Sequence, residues 1–189
     1  CGVNYIETDD PSTDAANFLA AGKIVSWFQG RMEVGSRALG NRSILANPAY
    51  PDIKNKVNER VKYRESWRPF CPSMTDEAKN RYIQGPNDVA HMIVAYQVPA
   101  GVEKSLPGIV HVDGTIRPQA VTQAKNPRFH ALITELGKQT GHPVVMNTSF
   151  NVRSEPIVCT PLDAVRCFYS NGLDALVMGN FVLTKSKAS

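Results

Sequence analysis

The sequence predicts an α/β fold, an open twisted mixed sheet flanked by helices, and three observations point to it. Short apolar runs rich in β-branched residues (KIVSWF, HMIVAYQV, PVVMN, DALVMG and FVLTK) read as strands. Capped windows of period 3.6 read as helices, and the two kinds are mixed along the chain rather than strictly alternating. A length of 189 residues, 42% hydrophobic and 20% charged, suits one globular domain spanning 1–189.

The acidic start ETDDPSTD reads as a linker, over residues 1–11, entering the first helix. Because the chain opens at Cys1 without methionine, a fragment or cut domain is expected. Ser12 or Thr13 caps a helix through Ala21 that closes at Gly22, and KIVSWF follows as a buried strand. The stretch QGRMEVGSRALGNRS, with Gly30, Gly35 and Gly40 and three arginines, has no sustained apolar period. It reads as a loop whose backbone must approach something closely.

Ile53, Val57 and Val61 lie at i, i+4 and i+8, a narrow helical stripe over 52–61. The chain then enters VKYRESWRPF, where Pro69 and Pro72 favour an edge strand or extended segment. A short helix starts at Thr75 with Asp76 and Glu77 in its first turn. HMIVAYQV is expected as a strand, and Asp113-Gly114 as the turn of a hairpin. Pro127 to Thr140 carries Phe129, Leu132, Ile133 and Leu136 on one side and stops at Gly141. PVVMN is a short buried strand running into Thr148. Thr160 as cap, Pro161 and Asp163 open the last helix, and two strands finish the sheet.

Charge is concentrated. Between Arg31 and Arg68 lie nine basic residues against four acids, whereas the rest of the chain has twelve against thirteen. The whole excess of the +4 net charge sits in one fifth of the sequence, which implies an anionic partner such as a nucleotide or a nucleic-acid backbone. Within and beyond this patch, Lys62 with Arg64 and Ser149 with Asn151 are spaced i, i+2. In extended segments that spacing turns both members of a pair to one face, so two strand ends could offer two cations, a hydroxyl and an amide to a polyphosphate.

GSRALGNRS nearly fits a phosphate-binding G-x-x-x-x-G-K-S/T loop, but Asn41 stands where the lysine belongs and Pro48 and Pro51 forbid the long helix that must follow. Arg31, Arg37 and Arg42, beside glycines that let backbone N–H groups turn toward an anion, remain candidates for phosphate or carboxyl contact. The cysteines show no C-x-x-C spacing and read as reduced, mostly buried thiols, Cys159 among them. The histidines show no ligand spacing, so no protein-bound metal is expected. With no apolar stretch of membrane-spanning length and no leader, a cytoplasmic location is expected.

The runs GRMEVGSRALGNRSILANP, NERVKYRESWRPFCPS, HVDGTIRPQAVT with NPRFHALI, and PVVMNTSFNVRSEPIVCTPLDAVRCF resemble, in that order, the C-terminal domain of the NodU/CmcH/TobZ O-carbamoyltransferase family. The resemblance implies a YrdC-like fold with a deep concave basic face. It also implies ATP-dependent activation of carbamoyl phosphate to carbamoyl-adenylate, with Mg²⁺ and release of pyrophosphate. The K-x-R and S-x-N signature of YrdC-like proteins falls on Lys62, Arg64, Ser149 and Asn151, as the catalytic set, and Thr148 matches the same T-S-x-N run. Arg31, Arg37 and Arg42 come next as nucleotide contacts, then Asn147, Arg68, Arg117 and Arg153. Further implied is an N-terminal domain of the same polypeptide, carrying iron and the acceptor site, which this chain lacks.

Two positions depart from the family pattern. Ser36 replaces the proline of G-P-R, and Ser154 replaces a glycine in N-V-R-G-E-P, which matters if that position needs positive φ. Replacing Lys62 by alanine is expected to abolish carbamoyl phosphate-driven exchange with the melting temperature nearly unchanged. The competing readings are a module for structured RNA and a degenerate nucleotide-binding domain. With only Tyr63, Trp67 and Phe70 clustered near the patch, the sequence argues against a nucleic-acid partner. Trp67 itself is open between packing and adenine stacking.

Overall fold

The computed structural model describes residues 3–85 and 89–185. Its elements are β1 (Tyr5–Glu7), α1 (Pro11–Ala20), β2 (Val25–Phe28), β3 (Arg42–Ala46), α2 (Ile53–Val57), β4 (Cys71–Thr75), β5 (Tyr96–Gln97), α3 (Val102–Ser105), β6 (Thr115–Ile116), β7 (Gln119–Val121), α4 (Pro127–Thr140), β8 (Val144–Ser149), α5 (Pro161–Tyr169), β9 (Ala175–Met178) and β10 (Phe181–Thr184). A π-helical turn, Asn58–Lys62, extends α2, and a 3₁₀ helix, Asp76–Arg81, follows β4.

Eight strands form one mixed sheet in the order β1-β10-β9-β2-β3-β8-β4-β7, and β5 pairs with β6 separately. Among the described residues only β2 with β9 and β4 with β7 run parallel. Alternate residues feed opposite faces, as the period of two requires. Ile44, Ala46, Val144, Met146 and Leu176 join α2 and α5 in one cluster, while Leu45, Val145, Val177 and Trp27 join α1 and α4 in the other. A sheet buried on both sides accounts for the apolar runs that gave the strands away.

The α4 helix fits its expectation: Asn126 caps it by accepting from the Phe129 N–H (3.2 Å), Pro127 opens it, and Gly141 closes it at φ 78°. The α5 capping box forms as read, with Thr160 Oγ1 accepting from the Asp163 N–H and the Asp163 carboxylate accepting from the Thr160 N–H. Elsewhere the structure corrects the reading. Residues 5–7, taken as part of a linker, pair with β10, and the cap of α1 is Asp10, whose carboxylate accepts from the Thr13 N–H and hydroxyl. Strand β3 begins at Arg42, inside the stretch read as loop, and pairs with both β2 and β8.

HMIVAYQV keeps only Tyr96–Gln97 as strand, because Met92 turns to φ 57°. Asp113-Gly114 does form a tight turn, closed by the His111 N–H to the Thr115 carbonyl (2.9 Å), yet the following strand pairs with β5. Pro72 sits in β4 between β8 and β7, not on an edge, although β7 pairs only from Ser73 onward.

Candidate active site

Lys62 and Arg64 are not delivered by a strand. The helix that begins at Ile53 widens into a π turn over Asn58–Lys62 and stops because Tyr63 adopts the left-handed region, φ 47° and ψ 50°. Both the Tyr63 and the Arg64 N–H bond the Asn58 carbonyl. The Asn58 side chain, fully buried, finishes the turn: its amide donates to the Ser66 and Arg68 carbonyls (3.3 and 3.2 Å) and its oxygen accepts from Arg64 Nε (2.7 Å). A π turn with a left-handed non-glycine residue is strained backbone of the kind that gathers at functional sites. The i, i+2 argument for this pair is therefore overturned; its members come together through a helix end.

On the opposite arm the shared side holds, but through a bend at Phe150, where the Asn151 N–H donates to the Ser149 carbonyl (3.1 Å), and not through continued strand. Ser149 ends β8, Phe150 turns into the core, and Asn151 follows on the same side as Ser149. Lys62 Nζ reaches across and donates to the Ser149 carbonyl (2.6 Å), the Asn151 side-chain oxygen (2.7 Å) and the Asn151 carbonyl (3.0 Å), with Ser149 Oγ at 3.4 Å. Ser149 Oγ donates to Asn151 Oδ1 (2.8 Å), and the Asn151 amide to the Glu155 carbonyl (2.8 Å). Lys62, Ser149 and Asn151 thus meet, Arg64 lines one cavity with all three, and only 6% of Lys62 is exposed. Burial, and then the Arg64 guanidinium, push the Lys62 ammonium down to about 7. Its bonds to Ser149 and Asn151 all run to neutral oxygens, so an arriving anion would supply the missing counter-charge.

Two cavities adjoin this cluster and share Arg64, Arg68 and Ser149. The larger, about 420 Å³, is also lined by Arg37, Arg117, Trp67 and Asn147, and among the described residues no carboxylate lines it. The smaller, about 210 Å³, adds Lys62, Asn151 and Arg153; its one acid, Glu65, is paired with Arg68 at 3.0 Å. Thr148 lines the larger cavity. Arg64 rides over the Phe70 ring at 4.7 Å, Arg117 touches the Cys71 sulfur at 3.6 Å, and Arg153 donates to the Tyr63 carbonyl at 3.2 Å, tying the two arms together. Such convergent cations with few acids make a site for a polyanion.

Two expected contacts lie elsewhere. Arg42 is 5% exposed and stacks on Phe28 at 3.5 Å, and its guanidinium donates to the carbonyls of Gln29, Asn41 and Gly30. It braces the loop from inside. Arg31 is exposed and lines neither cavity. The loop's amides do turn toward an anion, but it is the loop's own: Glu33 Oε1 accepts from the N–H groups of Leu39 (2.7 Å), Asn41 (2.8 Å) and Arg42 (3.4 Å). Gly40 makes the close approach, not to a ligand but to Phe129, which a Cβ there would meet at 2.1 Å.

Sequence reasoning missed Asn58, Glu33 and the stacking of Phe70. An asparagine four residues before Lys62, next to the apolar stripe of Ile53, Val57 and Val61, was the available signal for the first. Ser154 does adopt φ 66°, so the serine stands where glycine would be unstrained. Cys159 is exposed rather than core, while Cys71 and Cys167 are buried. Among the described residues no three His, Cys, Asp or Glu side chains gather to hold a metal, and no helix is long and apolar enough to cross a membrane.

The open mixed sheet of eight strands with its flanking helices has the YrdC-like fold. The solved structure of full-length HypF in its phosphate- and nucleotide-bound form shares the fold, with a TM-score of 0.60 over 96% of this chain and 22% of HypF, at 18% identity. Residues 16–185 match the family described as Carbamoyltransferase C-terminus, and the chain belongs to that family. It is 41% identical to nodulation protein NolO of Bradyrhizobium diazoefficiens over 96% of this chain and 34% of NolO. It is 35% identical to the 3'-hydroxymethylcephem-O-carbamoyltransferase of Amycolatopsis lactamdurans over 86% of this chain and 31% of that enzyme. The chain spans about a third of the length of these relatives.

Proposed function

We propose that this domain activates carbamoyl phosphate at the expense of ATP, forming carbamoyl-adenylate as the first half-reaction of an O-carbamoyltransferase. Water cleaves carbamoyl phosphate to carbamate and phosphate. A carbamate oxygen then bonds to the α-phosphorus of ATP while the bond from that phosphorus to the bridging oxygen breaks, and pyrophosphate leaves with the electron pair. Transfer to the acceptor belongs to an N-terminal domain of the same polypeptide in the intact enzyme.

One observation carries this reading: Lys62, Arg64, Ser149 and Asn151 share a cavity within a cationic groove whose five lining arginines face, among the described residues, a single, already paired carboxylate. Both a triphosphate and an acyl phosphate match that donor set. The step calls for no protein nucleophile, so its catalysis is positioning and neutralisation of charge on the departing pyrophosphate. Lys62 and Arg64 are assigned to carbamoyl or phosphate oxygens, and Ser149 and Asn151 to nucleotide and anhydride oxygens. HypF, whose solved structure is described as phosphate- and nucleotide-bound, includes a region of this fold.

As a protein-held ion, Mg²⁺ does not fit, because among the described residues Glu65 is the one lining carboxylate and Arg68 occupies it. It would enter as part of the ATP complex, on the phosphate oxygens.

The test is exchange of labelled pyrophosphate into ATP, dependent on carbamoyl phosphate. Because Lys62 braces both arms from a buried position, an alanine there would lower the melting temperature as well, contrary to the expectation from sequence. Lys62→Met keeps the stem and removes the charge. It should cut exchange by about 100-fold or more; wild-type exchange in this variant would remove the lysine from the mechanism.

A further inference from the structure

The two tryptophans have opposite fates. Trp27 is wholly buried and its indole N–H donates to the Gly40 carbonyl at 2.8 Å, which accounts for it as packing. Trp67 keeps 70% of its surface exposed while lining the larger cavity. The other aromatic residue lining that cavity, Phe70, is 2% exposed and has the Arg64 guanidinium over its ring, so it has no face to offer. Arg68 stands 5.9 Å from the Trp67 ring centroid, at the outer limit of a cation–π contact, and leaves the indole largely open. An indole left in water costs free energy that a planar ligand recovers, and base–aromatic stacking is the usual recovery beside a cationic groove.

We infer that Trp67 is the stacking platform for the purine base of the nucleoside triphosphate, an assignment that rests on the adenylation reading and deepens it. Arg64 and Arg68 line both cavities, so a nucleotide whose base lies on Trp67 runs its phosphates past them toward Lys62. The smaller cavity is then the polyphosphate end, and the indole distinguishes a nucleoside triphosphate from inorganic polyphosphate.

The experiment is a tryptophan-fluorescence titration of the chain with ATP and, separately, with inorganic tripolyphosphate. Trp27 supplies a constant background, so ATP should quench the exposed indole and tripolyphosphate should not. Calorimetry on Trp67→Ala should show ATP affinity down about tenfold, within the range that removing one stacked base spans, with tripolyphosphate affinity unchanged. Trp67→Phe should restore most of the ATP affinity. Equal weakening of both ligands by Trp67→Ala, or tight ATP binding without quenching, would overturn the inference and leave adenylation standing. If wild-type protein binds neither ligand, adenylation falls, and this inference with it.

Discussion

The two arms of the site hold their residues by different means. Ser149 ends a central strand and Asn151 follows it, anchored by the burial of Phe150 between them, and their common direction is set by the bend there, closed by the Asn151 N–H on the Ser149 carbonyl. Lys62 and Arg64 sit where a helix loosens into a π turn and ends on a left-handed tyrosine, and their direction depends on one buried asparagine. The first arm is rigid by topology. The second is rigid only while its polar bonds last, which makes it the place where substitution, pH and strain should act.

The largest effect is expected from Asn58→Ala. It removes two amide bonds to carbonyls and the Arg64 Nε acceptor from a fully buried position, a loss of about 2–3 kcal/mol of stability. Nucleotide affinity should fall with it as Arg64 loses its seat. Denaturant titration and calorimetry on the same variant measure both; intact stability would show that the π arm does not hang on Asn58.

Next comes pH. With its ammonium brought down to about 7 by burial, Lys62 meets an anion already charged below that pH, and above it binding must draw in a proton. ATP affinity should then fall by up to about tenfold per pH unit above 7, with proton uptake visible as a dependence of the calorimetric heat on buffer ionisation. Lys62→Met should show neither. For stability the sign is opposite: the unfolded chain binds the extra proton between about 7 and 10.5, so this lysine penalises the fold at low pH and the penalty lifts as pH rises through that window.

The smallest is a gain. Ser154→Gly relieves a serine at φ 66° in the loop beyond Asn151 and should stabilise the protein by about 1 kcal/mol, as a rise in denaturation midpoint.

The same contrast explains what was legible in the sequence. Strands buried on both faces announce themselves as apolar runs, and α4 and α5 carry their caps in plain view, so most of the sheet and its secure helices could be read directly. Strand β3 could not, because it begins at an arginine and a serine that belong equally to a loop; it is a strand because β2 and β8 hold it from both sides. The signature quartet was legible from a family resemblance, and the Ser-x-Asn half also from spacing. Charge counting found the cationic patch without sorting it: Arg42 and Arg64 each lie on a phenylalanine ring, yet one is spent on carbonyls and the other lines both cavities. That difference is made by which carbonyls and cavities each guanidinium meets once the chain has folded, and counting charges along the sequence does not encode it.

The most direct test of the account is incorporation of labelled pyrophosphate into ATP by this chain. The account predicts label in ATP only when carbamoyl phosphate is present, and its loss in Lys62→Met. Label appearing equally without carbamoyl phosphate, or persisting at the wild-type rate in that variant, would contradict it.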